Sequence, residues 1–317
     1  MTRPFCLIVN PAAGGGSSRA VVPAVTAALD ATGASYQVSE SASLEQAREL
    51  AAAGVQRGDV VVAVGGDGMA GALAGTVAAA GGICGIIPAG RGNDLARVLG
   101  LPADPAAAAL VLAGGQVRRV DMIGVRVAGQ AESIVAGSVY AGLPAVAGEI
   151  ANATRWLKGP VVYPVAALRA LAGWQPASFR VQIAGHSGSA AGPASAPALH
   201  AFAGYAVVVA NCPYFGAGMK VAPPARVDDG ILDIVLMRHG PKLMFVRALA
   251  KIKDGSHVML PQVSLERGSE VTLAADRSMP AAADGERLPG AAPLPAGTEL
   301  RIRALPSILA VLTPAPR

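Results

Sequence analysis

Short apolar runs alternate with helix-like segments through the first third of the chain. Residues 60–64 form a continuous run of valines with one alanine, which is typical of a strand buried on both faces of a parallel sheet. Similar runs predict further strands at residues 5–9, 35–38 and 85–87. Between them the pattern predicts helices, one of which covers residues 43–53 with Ser43 as its N-cap. Because strands alternate with helices, this part of the sequence predicts a parallel, doubly wound α/β domain.

The pattern changes after residue 115, where strand-like runs follow one another with few helix-sized segments between them. These runs lie at residues 116–127, 133–140, 178–183, 201–210 and 231–237. Residues 144–171 are an exception and predict helix in pieces. Residues 185–198 are rich in Gly, Ser, Pro and Ala and predict a flexible hairpin tip. We therefore expect a second, mainly β domain.

Glycine-rich loops follow the predicted strands of the first domain. Gly65-Gly66-Asp67-Gly68 comes directly after one strand, and residues 88–94 form a second such loop after the next strand. Backbone N–H groups in loops of this kind can face an anion, since no β-carbon blocks a close approach. A plain turn needs only glycine, whereas these loops also carry Asp67, Asn93 and Asp94. Two such loops at neighbouring strand ends predict opposite walls of one nucleotide site.

Composition limits where the protein works. Of its 317 residues, 15% are charged and 52% apolar, and the net charge is +5. The long uncharged stretch at residues 68–90 is glycine-rich and predicts a helix followed by a strand, not a membrane span. The N-terminus shows no apolar segment of signal-peptide length. Three widely spaced cysteines predict buried free thiols in a reducing cytosol, and four scattered histidines show no zinc spacing.

A family resemblance rests on motifs spread over most of the chain. The GGDG loop, followed by P-x-G-x-x-N-D-x-A-R at residues 88–97, resembles the lipid kinase family of diacylglycerol and sphingosine kinases, of the bacterial diacylglycerol kinase catalytic domain type. That family shares GGDG-type loops with NAD kinases and phosphofructokinases. Further similar motifs are K-G-x-x-x-Y at 158–163, the segments 211–219 and 224–233, and D-G-E at 284–286. The D-D-G-x-L-D and D-G-E pair is not found in this arrangement in NAD kinases, which favours a lipid kinase.

The resemblance implies a phosphofructokinase-like α/β nucleotide-binding domain at residues 1–118 plus about 292–317. It implies a β-sandwich lipid-substrate domain at residues 119–291. The implied reaction is ATP- and Mg²⁺-dependent phosphorylation of a lipid hydroxyl in phospholipid metabolism, with diacylglycerol giving phosphatidic acid. Sphingoid bases or other lipid alcohols are alternative acceptors. An NAD kinase-like enzyme and a nucleotide- or lipid-binding protein without turnover are alternative functions.

The resemblance and the loops together assign the nucleotide site. Its predicted residues are Asn10, Gly14, Ser41, Gly65, Gly66, Asp67, Gly68, Met69, Gly90, Arg91, Asn93 and Asp94. Asp67 would repel ATP unless a cation lay between them, so we expect it on the magnesium side of the phosphates. Asp121 matches a family aspartate that helps to hold the metal and phosphates. The alternative interpretation is that Asp121 is only an exposed loop residue.

Two carboxylate motifs of the second domain have predicted roles. Glu286, with Asp284, is the candidate general base for the lipid hydroxyl. Because an ordinary glutamate has a pKa near ~4.3, we expect partial burial to raise it. The alternative is that Asp284-Gly285 forms only a hairpin turn. Asp229, with the backbone carbonyls of Arg226 and Ile231, matches a second, structural divalent-cation site of bacterial family members, and its alternative is again a turn.

Several residues depart from the family pattern. Ala13 replaces a serine, Met69 and Arg91 replace threonines, and Gly71-Ala72 replaces Asn-Glu. Arg91 could still contact phosphate as a charged donor. Gly71 and Ala72 offer no side-chain hydrogen bond, which leaves nucleotide selectivity open and motivates the non-catalytic alternative.

A lipid kinase without a membrane span has to visit the bilayer surface. The densest basic stretch is residues 238–257, in which Phe245, Leu249 and Ile252 share one helical face and Arg247 and Lys251 another. Such a helix could lie on anionic headgroups, or its apolar side could cover the core. We expect a cytoplasmic protein, peripheral to the inner face of the membrane, with lipid and nucleotide as partners. We expect no nucleic-acid partner, and a homodimer is left open.

Overall fold

The computed structural model describes residues 3–11, 17–90, 92–154, 162–185, 197–216, 218–288 and 293–315. The chain divides into two compact units. The first comprises Met1–Met122, Ile134–Ala136 and Leu305–Arg317, and the second Ile123–Ser133 and Gly137–Ala304.

Helices and strands alternate in the first third of the chain, and strands predominate in the rest. The early elements are β1 Phe5–Val9, α1 Ser17–Ala31, β2 Tyr36–Glu40, α2 Leu44–Arg57, β3 Val60–Gly65, α3 Asp67–Ala79, β4 Ile83–Pro88, α4 Asp94–Val98, α5 Pro105–Gly114 and β5 Gln116–Val127. The later ones are β6 Ser133–Val135, β7 Ser138–Gly142, α6 Leu143–Ala153, α7 Val162–Gly173, β8 Ala177–Ala184, β9 Ala198–Ala210, β10 Tyr214–Phe215, β11 Met219–Lys220, β12 Leu232–Arg238, α8 Lys242–Lys251, β13 Val263–Gly268, β14 Glu270–Ala275, β15 Ala281–Ala283, β16 Glu286–Arg287 and β17 Leu300–Thr313. A short 3₁₀ helix spans Ser256–Met259.

The first unit contains a parallel sheet in the order β17-β4-β3-β1-β2. Alternate residues of β1 face opposite layers, as the period of a strand requires. Leu7 packs with residues of α1 and α5, whereas Cys6 lies against Gly54 of α2. Burial on both faces explains why the central strands are continuously apolar. The predicted α/β fold class is confirmed.

Local signals in the sequence set the ends of the helices. The Ser43 side chain caps α2 by accepting the Gln46 N–H, as predicted, and Gly58 ends the helix in the left-handed conformation at φ 83°. The uncharged stretch at residues 68–90 folds as α3 and β4. Within the described residues, no helix combines the length and hydropathy that crossing a bilayer requires.

The second unit is a mainly β structure with antiparallel pairing. Its strands run in the order β16-β15-β7-β9-β8-β14-β17, and β12 pairs with both β9 and β13. Residues of β8 alternate between buried and exposed, which is typical of a sheet with one solvated face. The predicted β-sandwich is confirmed, whereas strands β13 to β16 were not predicted. All three cysteines are free and buried, as predicted, and burial raises the pKa of Cys84 to about 12.

Candidate active site

The two predicted glycine loops of the first unit touch each other through their backbones. Strands β3 and β4 are parallel neighbours, with Gly65 opposite Pro88, so both loops leave the sheet at the same edge. A β-carbon added to Gly90 would lie 2.3 Å from the Gly66 Cα atom, and one added to Gly66 would lie 3.1 Å from the Gly90 Cα atom. Glycine is therefore required here by close backbone approach.

Asp67 links the two loops. Its Oδ2 atom accepts the N–H of Asn93 at 2.9 Å, and its Oδ1 atom accepts the N–H of Asp94 at 2.5 Å. The carboxylate thus satisfies backbone donors at the beginning of α4. Each carboxylate oxygen has two lone pairs, so Asp67 keeps capacity to accept from a second group such as a metal-bound water.

Asn93 shapes the second loop through its own side chain. Its Oδ1 atom accepts the Gly90 N–H and its Nδ2 atom donates to the Gly90 carbonyl, both at 2.9 Å. Its backbone is left-handed at φ 52°, a conformation that asparagine tolerates. Asp94 is buried. The predicted residues Arg91 and Gly14 lie outside the described residues.

Two serines that the sequence analysis did not predict lie beside the glycine loops at this edge of the sheet. Ser17 at the start of α1 donates its hydroxyl to the Ala89 carbonyl of the second loop at 2.7 Å. Ser18 is buried, and its Oγ atom has no hydrogen-bond partner among the described residues. Both serines directly follow a third glycine-rich stretch of the sequence, residues 14–16, which was the signal that could have identified them. Ser41, a predicted site residue, donates its backbone N–H to the Val9 carbonyl at 2.8 Å.

These features fit the phosphates of a nucleotide. The loops present backbone amides without side chains at the carboxyl edge of a parallel sheet, where α1 and α3 begin. The buried Ser18 hydroxyl, which has no hydrogen-bond partner in the described part of the chain, lies 3.7 Å from the position that a Gly65 β-carbon would occupy. Met69, also predicted to contact the nucleotide, is buried with its side chain against Gly65, so packing accounts for its position.

Asp121 is buried, so the alternative of an exposed loop residue is wrong. Its Oδ1 atom accepts the Ser307 N–H at 2.7 Å, and Arg119 donates to the Ser307 carbonyl at 3.2 Å. Ser307 has a left-handed backbone, φ 53°, inside β17. Asp121 therefore stabilises an unfavourable backbone conformation in the last strand. Nothing in the sequence indicated this partner.

In the second unit, the D-G-E motif and the 211–219 segment both contact Gly137-Ser138. The sequence analysis did not predict a role for these two residues. Asp284 Oδ1 accepts the N–H groups of both residues at 2.9 Å. The Gly137 carbonyl accepts the N–H groups of Asn211 at 2.9 Å and Cys212 at 3.2 Å. The meeting follows from the sheet order, because β7 lies between β9 and β15.

The D-G-E motif is built as a hairpin turn between β15 and β16. Asp284 and Gly285 both have positive φ, 48° and 87°, as a two-residue type I′ turn requires, so the motif forms a hairpin turn. The Gly285 N–H donates to the Tyr140 hydroxyl at 3.1 Å. Burial, and secondarily the Asp284 charge, raises the pKa of Tyr140.

The burial that we expected for Glu286 is not observed. Its side chain is exposed because it lies on the two-residue strand β16, which pairs only with β15 among the described strands. The Glu286 side chain makes no hydrogen bond or ion pair with the described residues, and its role as a general base stays a prediction.

The residues around Asp229 do not fit a divalent cation. Asp229 Oδ2 lies 2.5 Å from the Arg267 guanidinium, and Oδ1 accepts the Ile231 N–H at 3.1 Å. Buried Asp233 lies opposite Arg267 in the β12–β13 register, with Oδ1 3.4 Å from the arginine Nε. Burial raises the pKa of Asp233 to about 6, and Arg267 opposes this shift. The side chain of Arg226 pairs with Asp228 at 3.2 Å.

The described residues contain no cluster of three or more His, Cys, Asp or Glu side chains that could hold a metal ion. A cation bound together with a nucleotide can take most of its ligands from phosphates and water. This is the usual mode of Mg²⁺ binding.

Comparisons with known proteins match both parts of the chain. Residues 4–125 match the family model described as "Diacylglycerol kinase catalytic domain". Residues 137–313 match "YegS C-terminal NAD kinase beta sandwich-like domain". A protein named "Diacylglycerol kinase" from Mycobacterium tuberculosis (strain CDC 1551 / Oshkosh) is 30% identical over 309 residues, which cover 97% of this chain and 94% of that protein. A second protein of that name, from Staphylococcus saprophyticus, is 25% identical over 298 residues, with 90% of each chain covered.

The fold has also been observed in solved structures. "A putative diacylglycerol kinase from Bacillus anthracis str. Sterne" superposes with a TM-score of 0.76 at 19% identity, covering 98% of this chain and 97% of that one. The chain thus combines an α/β unit that carries two glycine-rich loops with a β-sandwich unit that carries a D-G-E turn. The chain belongs to the diacylglycerol kinase and YegS-like family of lipid kinases, as its motifs predicted.

Proposed function

We propose that the protein transfers the γ-phosphate of ATP to a hydroxyl group of a membrane lipid, with diacylglycerol as the acceptor and phosphatidic acid as the product. The observation that carries the proposal is the contact between Gly66 and Gly90, which leaves two glycine loops open to an anion beside Asp67. The first unit would bind the nucleotide and the second the lipid.

In this proposal Mg²⁺ neutralises charge on the phosphates when it is bound, and Asp67 holds it directly or through water. The backbone amides of the loops, together with Ser18, would orient the phosphates. Positioning and charge stabilisation supply most of the catalysis in phosphoryl transfer, so a rigid backbone cradle suits this chemistry.

The proton of the lipid hydroxyl needs an acceptor. Asp284 is committed to two backbone N–H groups through Oδ1, whereas Glu286 on the same turn is exposed and without a partner among the described residues. Glu286 is therefore the better candidate, and lipid binding would supply the burial that raises its basicity.

The test is incubation of the protein with labelled ATP, Mg²⁺ and a total lipid extract, followed by identification of the labelled product. Labelled phosphatidic acid supports the full proposal. A labelled sphingoid base or another lipid alcohol would keep the kinase and change the acceptor. Binding of ATP without label in any lipid, while NAD is also not phosphorylated, would favour a binding protein and overturn the proposal.

A further inference from the structure

Helices α7 and α8 carry the same eight-residue pattern. Residues 165–172 read VAALRALA and residues 243–250 read LMFVRALA, with an aliphatic residue at the first and fourth positions and RALA from the fifth. The match places Val165 with Leu243, Leu168 with Val246, and Arg169 with Arg247.

Matching positions face solvent on both helices. The exposed fraction is 45% for Val165, 44% for Leu168, 65% for Leu243 and 38% for Val246. Arg169 and Arg247 are also exposed. The spacing i, i+3, i+4 puts each trio on a single helical face. Aliphatic side chains on the solvent face of one helix are common, but repetition of the same face on two helices is not explained by packing.

The opposite side of α8 accounts for its contact with the core. Phe245, Leu249 and Ile252, which we predicted as the apolar face, are partly buried, and the Phe245 ring lies 5.3 Å from the Tyr205 ring. The interpretation of that face as a cover for the core is confirmed. Leu243 and Val246 are thus a second apolar group, beside Arg247.

Helices α7 and α8 meet at their ends, and the charged residues of both exposed faces are basic; the nearby carboxylate of Asp254, beyond the end of α8, interacts electrostatically with Lys251. Lys242 at the start of α8 donates to the Ala172 carbonyl near the end of α7 at 2.7 Å. Neither helix contains Asp or Glu. Within the described part of the chain, Arg169, Arg247 and Lys251 form no ion pair, unlike Arg57, Arg226, Arg287, Arg301 and Arg303. We call Val165, Leu168, Arg169, Leu243, Val246, Arg247 and Lys251 the α7–α8 face.

We propose that the α7–α8 face docks the protein on an anionic lipid bilayer, its four aliphatic side chains entering the headgroup region beside its three cations. This inference rests on the proposed lipid substrate. Charge complementarity selects the occupant, because anionic headgroups neutralise cations that no carboxylate within these two helices neutralises. Basic and aliphatic side chains on one face are the combination that an interfacial helix requires.

The test measures co-sedimentation with phosphatidylcholine vesicles, with and without phosphatidylglycerol. The charge variant is Arg169→Glu/Arg247→Glu/Lys251→Glu, which leaves Lys242 in its helix–helix hydrogen bond. Since each basic residue near the surface is worth about fivefold in binding, we expect the loss of three to weaken binding about a hundredfold or more. The apolar variant is Val165→Ser/Leu168→Ser/Leu243→Ser/Val246→Ser, and it should also lose binding.

Matched controls separate local contact from overall charge. Arg48→Glu/Arg180→Glu/Arg301→Glu makes the same change in net charge at exposed positions elsewhere, and Leu110→Ser/Val117→Ser removes exposed aliphatic side chains of the first unit. Both controls should bind vesicles within a few-fold of the wild type. The proposal is overturned if the wild type ignores phosphatidylglycerol, if the two test variants bind as the wild type does, or if the controls lose binding equally.

Activity on detergent-dispersed short-chain diacylglycerol distinguishes failure of the docking surface from failure of the kinase. The charge variant should keep this activity while losing activity on vesicles. Vesicle binding without phosphorylation of any lipid would support the docking surface and overturn the proposed reaction. A wild-type dimer that only the test variants dissociate, with vesicle binding unchanged, would assign the face to self-association and overturn the proposal.

Discussion

Arg267 donates to the carboxylate of Asp229 at 2.5 Å, so a guanidinium contacts the side chain that the family resemblance assigned to a divalent cation. The strand register produces this contact, because Arg267 on β13 lies directly opposite Asp233 on β12, at the end of the Asp229 loop. The chain thus supplies its own cation to both carboxylates.

We expect the melting temperature of the wild type to be indifferent to EDTA and to added Mg²⁺ or Ca²⁺ in the absence of nucleotide. A metal that bound only the folded state would raise apparent stability through linkage. Arg267→Met should lower the free energy of unfolding by about 1–3 kcal/mol, less than for a fully buried pair because the Arg267 side chain is 40% exposed. Arg303→Met, which breaks a more exposed pair with Glu132, is the control and should cost less. Stabilisation of the wild type by a divalent cation would contradict this expectation and support the predicted metal site.

Asp67→Asn should leave a folded protein with very little turnover. Asparagine can still accept a backbone N–H of the second loop, but it removes the charge that we place beside Mg²⁺. Loss of such a charge removes several kcal/mol of transition-state stabilisation. Steady-state kinetics over a magnesium titration, with melting curves as the folding control, test this. Wild-type turnover at saturating Mg²⁺ would contradict the assignment.

Gly90→Ala should abolish nucleotide binding. The new methyl group would lie 2.3 Å from the Gly66 Cα atom, a distance that only separation of the two loops relieves. The measurement is the rise in melting temperature on addition of ATP and Mg²⁺. Gly114→Ala is the control, since no atom lies within 4 Å of the position that a Gly114 β-carbon would occupy. If ATP raised the melting temperature of both variants equally, the glycine loops would not be part of the nucleotide site.

Ser18→Ala should leave the stability of the nucleotide-free protein unchanged or slightly raised. A buried hydroxyl without a partner carries a desolvation cost, which alanine removes. The same change should weaken the stabilisation by ATP, because the hydroxyl is held ready for a phosphate oxygen. Thermal melts with and without nucleotide measure both effects. A clear loss of stability without nucleotide would show that Ser18 serves the fold.

Glu286→Gln should lower kcat by about a hundredfold or more and leave ATP affinity and stability unchanged, because a general base acts only in the chemical step. Asp284→Ala should instead destabilise the protein by about 1–3 kcal/mol, since it deprives Gly137 and Ser138 of their acceptor. Kinetics and denaturant titrations on both variants separate the two roles. Weaker ATP binding with intact turnover in Glu286→Gln would make Glu286 a nucleotide ligand.

Local sequence patterns determined the fold class and the position of the phosphate loops. The valine run of β3, the Ser43 cap of α2 and the glycines around Asp67 each depend on neighbours a few residues away, so their structures could be predicted. The Asp284-Gly285 turn is of the same kind. Strands β13, β14 and β16 were missed because most of their residues are partly buried or exposed, and β15 because it is a run of three alanines.

Tertiary structure alone decided which side chains meet. The hydrogen bonds of Asp121 with Ser307, Asp284 with Gly137, and Asp229 with Arg267 join residues 186, 147 and 38 positions apart in the sequence. Such partners depend on strand order and register, and a shift of one residue in register would turn a side chain to the other face. For the same reason the sequence could not show that Glu286 would be exposed, or that Arg267 would pair with Asp229. The repeated VAALRALA and LMFVRALA pattern was present in the sequence throughout, but only burial showed which of its positions face solvent.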